Sequence, residues 1–202
     1  MVEKTPEKTG FLIGYLKGEM TDFEMEEKNI QIAYGHTHQS IAVPQDNLQG
    51  VYYPRDVIEE VNEHHILQGA MDHPIGSPPL RELVRRGERI AIITSDISRP
   101  CPSERMLPYV ISELEAAGIP DEDVLIVIAL GLHRQMTQDE IASAITPEMA
   151  QRFRVMNHDP DDVLHIGVTD AGTSVDLFRP VVEADRRICL GNLEFHYFAG
   201  YS

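Results

Sequence analysis

The segment 89–100, RIAIITSDISRP, joins a short apolar run to a polar loop that carries Asp96 and Arg99. A second segment, DVLIVIALGLHR at 123–134, has the same design and ends in His133 and an arginine. Continuous apolar runs of this length are typical of strands that are buried on both faces of a parallel sheet. The two segments therefore predict buried strands of a parallel sheet, each followed by a loop that carries polar side chains.

Helical patterns alternate with these strands along the chain. Residues 103–117 place apolar side chains on one face and stop at Gly118, as helices commonly do. Thr137 and Glu140 have the spacing of a capping box, which marks the start of another helix. This alternation predicts an α/β fold with a mostly parallel sheet flanked by helices.

Antiparallel hairpins are expected as additions to that sheet. Apolar and polar residues alternate around a polar turn within 30–43, and a second pair of strand-like runs lies within 163–178. Residues 1–28 are mostly polar and are expected to form an N-terminal arm. The folded domain is therefore expected to span 29–202.

The composition argues against several classes of protein. The chain has 17 basic and 33 acidic side chains and a net charge of −16 at pH 7, whereas nucleic-acid binding needs clustered Lys and Arg for the phosphates. No apolar run reaches the roughly 18 residues of a membrane span, and residues 1–10 lack the apolar core of a signal peptide. Two cysteines do not make a disulfide framework. We expect a cytoplasmic protein with neither a membrane nor a nucleic-acid partner.

Ligands of parallel α/β sheets bind beyond the carboxyl ends of the strands, so the loops at that edge hold the first candidates. Arg99 is suited to two-point binding of a carboxylate or phosphate, although a loop salt bridge with Asp96 would explain the same pair. His133 is suited to acid–base catalysis because imidazoles exchange protons near neutral pH; the alternative is a hydrogen bond to the loop backbone. His196, in EFHYFAGY, is either a second such group or a packed histidine among aromatic side chains.

Other histidines give weaker signals. His36 and His38 form an HxH pair that can chelate a metal, but a solvated turn is the simpler interpretation because cysteine and carboxylate ligands are missing nearby. His158 precedes an aspartate-rich stretch that is also ordinary turn composition. The sequence contains no dinucleotide, triphosphate or serine-hydrolase motif. No metal site is predicted in this chain.

Three loop segments, SDISRPCPS, GLHRQMTQDE and EFHYFAGYS, together resemble the N-terminal domain of the nickel-dependent lactate racemase family. The upstream DHPIGSPPLREL is similar to that family's Asn-Pro-Ile-Gly-Ser segment, with His73 where asparagine is common. The four segments occur in the family's order and on the predicted loops. The resemblance covers roughly residues 29–202, which is nearly all of the predicted domain.

The resemblance implies a specific chemistry. Members of the family bind a nickel-pincer nucleotide and racemise or epimerise α-hydroxy acids; a histidine removes the hydroxyl proton while the α-hydride moves to the cofactor. Return of the hydride to the other face inverts the centre, with a second histidine as the acid–base partner. By the motif match, His133 and His196 are this pair, Arg99 contacts the substrate carboxylate, and Asp96 lies beside the cofactor or orients a catalytic histidine.

The chain departs from the family pattern at two points. Phe195 replaces the proline that lactate racemases carry before the histidine. The family's Gly-Gly-x-Lys run, whose lysine anchors the cofactor, and a later nickel-binding histidine would both lie past Ser202. The resemblance thus implies an N-terminal catalytic-histidine domain that works with a C-terminal domain of the same protein. On its own this chain is expected to be inactive and to lack the cofactor.

Two other functions remain open on the sequence. The same fold would serve an epimerase of a sugar acid, and Phe195 leaves the identity of the substrate undecided. A non-catalytic α/β module that binds a small ligand in the same pocket is the second alternative.

Overall fold

The computed structural model describes residues 11–16, 19–24, 26–52, 62–196 and 198–201. The chain divides into two compact units, Met1–Glu60 and Val61–Ser202. The predicted arm over 1–28 and the predicted domain over 29–202 remain predictions. Within the described ranges, no helix is long and apolar enough to cross a membrane.

The first unit is built from two antiparallel hairpins. Its strands are β1 (Phe11–Leu16), β2 (Glu19–Glu24), β3 (Glu27–Tyr34) and β4 (Thr37–Pro44). β1 pairs with β2, and β3 pairs with β4. The second hairpin turns at Gly35, whose φ of 56° lies in the left-handed region that glycine tolerates. The hairpin predicted over 30–43 is therefore confirmed.

The second unit contains the parallel sheet and the remaining strands. These strands are β5 (Ile90–Ser95), β6 (Val124–Ala129), β7 (Arg154–Asn157), β8 (Val163–Val168), β9 (Ser174–Phe178), β10 (Arg186–Cys189), β11 (Phe195–His196) and β12 (Gly200–Tyr201). The sheet is four-stranded in the order β10-β5-β6-β7, and every neighbouring pair is parallel. β8 and β9 form the second predicted antiparallel hairpin.

Six α-helices accompany the strands in the described part of the second unit. They are α1 (Glu63–Asp72), α2 (Leu80–Leu83), α3 (Ser103–Ala116), α4 (Gln138–Ile145), α5 (Pro147–Arg152) and α6 (Arg179–Glu183). α3 ends just before Gly118, which has a φ of 76°, and α4 begins with the predicted capping box of Thr137 and Glu140. The predicted α/β fold, with a mostly parallel sheet flanked by helices and antiparallel hairpins added, is confirmed.

Alternate residues of the two central strands form one wall of the core. Ile92 and Ile126 are opposite each other in register, and both are fully buried. They belong to one apolar cluster with Leu107 and Leu114 of α3 and Ile141 of α4. Burial of each such side chain contributes about 2 kcal/mol to stability. This core fixes β5 and β6, and with them the loops that leave their carboxyl ends.

The carboxyl ends of the four strands lie at one edge of the sheet. Backbone hydrogen bonds continue the parallel pairing past the strand ends, from His158 N to Ile128 O at 2.9 Å and from Leu190 N to Ile93 O at 2.8 Å. Asp96 follows β5 directly, and the segment with His133 follows β6. The candidate loops therefore start at the edge where parallel α/β sheets bind their ligands.

Candidate functional site

Asp96 occupies the first position after β5. The strand is buried up to its end, and the Asp96 side chain is only 6% exposed. The loop turns back at once, because Arg99 N donates a hydrogen bond to Asp96 O at 3.2 Å. A carboxylate is thereby held at the sheet edge, almost completely shielded from solvent.

His133 reaches the same place from the end of β6. The chain turns at Gly131, which has a φ of 56°, and His133 N donates to Leu130 O at 2.9 Å. Glycine fits this turn because residues with a Cβ rarely adopt positive φ. The imidazole remains half exposed, with 50% of its side-chain surface accessible. His133 can therefore contact both the protein and a bound molecule.

Polar contacts of the residues that follow His133 in the chain fasten its loop to the sheet and to α4. Met136 N donates to Asn157 Oδ1 at 3.1 Å, and Asn157 Nδ2 donates back to Met136 O at 2.9 Å. Arg134 binds both carboxylate oxygens of Glu140, at 2.8 and 2.6 Å. These contacts fasten the loop after His133, and the end of β6 fixes it before His133, so the position of His133 is set by the fold.

The two candidate residues are in direct contact. His133 Nδ1 lies 2.5 Å from Asp96 Oδ2. Burial raises the pKa of Asp96, but hydrogen bonds from Ser98 and His133 outweigh it, so the net pKa lies below its ordinary value. An ionised carboxylate can only accept hydrogen bonds, so the proton of His133 lies on Nδ1. Nε2 then carries the lone pair and is able to accept a proton.

Two open cavities adjoin this pair. One, of about 450 Å³, has a polar lining of Asp96, Ser98, His133 and Arg134. The other, of about 420 Å³, is lined by Asp96, Arg99 and His133 together with the glycine turn. Both volumes are in the range of small-molecule sites. Three of the four predicted site residues are thus brought to the same space.

Arg99 is exposed and lines the smaller cavity. No ion pair of its guanidinium is found among the described residues. The alternative salt bridge with Asp96 is not formed, because Ser98 and His133 occupy the Asp96 carboxylate instead. The Arg99 side chain is therefore placed to bind an anion in the cavity.

His196 lies on a short hairpin beyond β10, where β11 pairs with β12. Its Nδ1 accepts hydrogen bonds from the backbone N–H groups of Phe198 and Ala199, both at 3.1 Å. The proton of the neutral ring must then lie on Nε2. The ring is half-buried and lies near the Phe198 ring, with centroids 6.0 Å apart. A common cleft with His133 stays a prediction.

Ser98 was not singled out from the sequence, yet it contacts both members of the pair. Its amide and hydroxyl both donate to Asp96 Oδ1, at 2.8 and 2.5 Å, and its Oγ lies 3.2 Å from His133 Nδ1. The Asp-x-Ser spacing was the available signal, since aspartate side chains commonly accept from the backbone two residues on.

The other candidate histidines form no cluster of metal ligands among the described residues. His36 and His38 belong to the turn and second strand of the β3–β4 hairpin. His158 packs edge-on against Phe178, with ring centroids 5.6 Å apart. Across the described ranges, no group of three or more His, Cys, Asp or Glu side chains could hold a metal ion.

Comparison with known proteins points to one family. The family model of the lactate racemase N-terminal domain matches residues 34–202. The lactate racemase of Thermoanaerobacterium thermosaccharolyticum is 31% identical over 179 residues, which is 86% of this chain and 42% of that protein. The lactate racemase of Lactiplantibacillus plantarum is 32% identical over 146 residues, which is 71% of this chain and 34% of that protein.

A solved structure is similar in fold as well as in sequence. The lactate racemase apoprotein from Thermoanaerobacterium thermosaccharolyticum superposes with a TM-score of 0.71 and 31% identity, over 87% of this chain and 41% of that chain. The chain therefore spans less than half the length of the relatives that it matches.

Proposed function

The chain belongs to the lactate racemase N-terminal domain family, and on this premise we propose that it supplies the acid–base half of a racemase or epimerase of small α-hydroxy acids. The observation that carries the proposal is the contact of 2.5 Å between His133 and Asp96, beside two open cavities. Both residues lie on loops that the family resemblance had singled out. The proposed substrate is lactate or a close analogue.

The proposal assigns the substrate carboxylate to Arg99. Its guanidinium is exposed and lines the same cavity as His133. A planar guanidinium can donate two parallel hydrogen bonds to a carboxylate, which fixes orientation as well as position. A hydroxy acid held in this way would keep its α-carbon at a constant distance from the imidazole.

The proposal assigns the hydroxyl proton to His133 and His196. Inversion passes through a planar intermediate, so each face needs its own proton donor and acceptor. The inferred tautomer of His133 supports this assignment, because its bare Nε2 can accept the hydroxyl proton. The proton count balances when one ring is neutral and the other protonated: in one direction neutral His133 accepts the hydroxyl proton and protonated His196 returns one, and in the other direction the two roles are exchanged.

The cofactor proposed from the resemblance is a nickel-pincer nucleotide. When bound, it would supply an acceptor for the α-hydrogen together with its electron pair. The described residues do not fit the role of nickel ligands, because no three of their His, Cys, Asp or Glu side chains are grouped so that they could hold a metal ion. We therefore assign nickel binding to residues outside them and derive no step through the metal.

The assignment of Asp96 as a cofactor-binding residue is kept as part of the proposal. Its carboxylate already receives hydrogen bonds from Ser98 and His133, so orienting His133 is its principal role here. A contact with the cofactor would be made by the remaining edge of the carboxylate. The proposed partner that closes the site is a C-terminal domain of the same protein.

A sugar acid is the second candidate substrate. The cavities of about 450 and 420 Å³ adjoin each other at the Asp96–His133 pair, which leaves space for a longer polyol chain. Phe195 in place of the family's proline also separates this chain from the lactate racemases.

A panel of chiral acids tests the proposal. The full-length, cofactor-loaded protein is incubated separately with D-lactate, L-malate and D-gluconate, and each product is resolved by chiral chromatography. Racemisation of lactate supports the leading proposal, and turnover of gluconate alone supports the sugar-acid alternative. Binding without turnover of any acid would contradict both and favour a non-catalytic ligand-binding module.

A further inference from the structure

Ser98 contacts both Asp96 and His133, and it has no assigned role so far. Two of its donors converge on a single atom, Asp96 Oδ1, from the amide at 2.8 Å and from the hydroxyl at 2.5 Å. With this oxygen occupied, the other oxygen, Oδ2, is left to His133 at 2.5 Å. Ser98 therefore orients the Asp96 carboxylate so that Oδ2 faces the histidine.

The Ser98 hydroxyl also adjoins the histidine itself. Its Oγ lies 3.2 Å from His133 Nδ1, and since its proton is directed to Asp96, it presents a lone pair towards the ring. Both acceptors near Nδ1 thus favour the same tautomer. The side chain of Ser98 is exposed, so its hydroxyl has little part in the packing of the core.

We propose that Ser98 is a positioning residue, whose hydroxyl keeps the proton of His133 on Nδ1 and leaves Nε2 bare towards the cavity. The catalytic consequence rests on the proposed function, whereas the tautomer does not. Ser98→Ala is an informative variant because it retains the backbone N–H that bonds Asp96 Oδ1. The change therefore removes the hydroxyl alone and leaves the turn of the loop intact.

The β8–β9 hairpin offers a matched control. Ser174 Oγ donates to Asp176 Oδ2 at 2.7 Å and lies 3.1 Å from His165 Nδ1, which itself lies 2.9 Å from Asp176 Oδ1. The same three residue types are thus arranged in the same way outside the cavities that adjoin His133. Ser174→Ala removes an equivalent hydroxyl and should leave His133 unchanged.

The first test reads the ring nitrogens of His133 by ¹⁵N NMR in this chain. In the wild type and in Ser174→Ala we expect the Nδ1–H tautomer to predominate. In Ser98→Ala we expect a larger share of the Nε2–H tautomer than in the wild type, because the Asp96 carboxylate is then oriented by the backbone amide alone, and in Ser98→Thr a return to the wild-type proportion. An amide spectrum of each variant verifies folding. An unchanged tautomer in Ser98→Ala, or a wild-type ring protonated mainly on Nε2, would overturn the proposal.

The second test uses the full-length, cofactor-loaded protein. We expect Ser98→Ala to lower kcat about tenfold, the effect of one hydrogen bond to a charged group, with KM nearly unchanged and with rescue by Ser98→Thr. A change in KM alone would contradict a positioning role. If the wild type does not turn over hydroxy acids, the proposed function fails, while the NMR result still decides the role of Ser98.

Discussion

His133 and His196 use the same ring nitrogen in opposite ways. Nδ1 of His133 faces an ionised carboxylate oxygen at 2.5 Å, whereas Nδ1 of His196 accepts two backbone N–H groups at 3.1 Å. In the neutral rings their Nε2 atoms are consequently of opposite character, one a hydrogen-bond acceptor and the other a hydrogen-bond donor. Of the two, His133 is the ring whose Nε2 can take up a proton from a bound molecule.

Arg99→Lys tests the assignment of the substrate carboxylate. Lysine keeps the positive charge but lacks the planar fork, so a bidentate contact is lost. In the full-length, loaded protein we expect kcat/KM for lactate to fall about tenfold or more, the effect of one or two hydrogen bonds to a charged group. Arg179→Lys is a suitable control, since Arg179 pairs with Asp162 on the loop before β8. Equal kinetics in the two variants would contradict the assignment.

The contact between Arg134 and Glu140 predicts a pH dependence of stability. Hydrogen bonds from Arg134 and from the Thr137 amide lower the pKa of Glu140 from its ordinary 4.5 to about 2. Because the pKa of Glu140 is lower in the folded state, its carboxylate stabilises that state at pH values above about 4.5. This contribution is lost as the pH falls from about 4.5 through about 2. The loop that carries His133 should therefore weaken in acid.

Urea unfolding of the wild type and of Glu140→Gln measures this effect. We expect a constant difference in unfolding free energy near neutral pH that closes as the pH falls through the same window. Arg134→Gln should remove most of the pH dependence as well, because it deletes the principal cause of the lowered pKa. A difference between wild type and Glu140→Gln that persists unchanged at the acid end would contradict the prediction.

The isolated 202-residue chain is predicted to hold no stoichiometric nickel. No group of three or more potential ligands lies within its described residues, and tight sites for transition metals need several converging ligands. Metal analysis after dialysis should find far less than one nickel ion per chain. Any weak residual nickel binding is expected at His36 and His38 and should disappear when both are changed to Ala. One tightly held nickel ion per chain would refute the prediction.

The fold was predictable to the extent that burial leaves a pattern in the sequence. The apolar runs of β5 and β6 predicted two buried strands of a parallel sheet, and with them the placement of the loops that carry Asp96 and His133 at its carboxyl edge. The partner of Asp96 was not predictable from residue types, since Arg99 offered an equally plausible charge. Ser98 binds the Asp96 carboxylate through a short turn over residues 96–98. Such local geometry depends on backbone dihedral angles, which the composition does not reveal.

The tautomer of His196 was hidden from the sequence for a related reason. It is set by backbone N–H groups, which every residue except proline carries, so no residue type signals it. Aromatic neighbours in EFHYFAGY suggested a packed ring, and the half-buried ring does lie near Phe198. The hydrogen bonds to Nδ1 depend instead on the tight turn between β11 and β12.

The central claim is that His133, oriented by Asp96, moves the hydroxyl proton of an α-hydroxy acid. The most direct measurement is the rate at which His133→Ala converts D-lactate into L-lactate in the full-length, cofactor-loaded protein. His165→Ala is the matched control, because His165 also pairs with an aspartate, Asp176, but on an exposed hairpin. We predict a loss of about 10²-fold or more for His133→Ala and no loss for His165→Ala. Racemisation by His133→Ala at the wild-type rate would contradict the account.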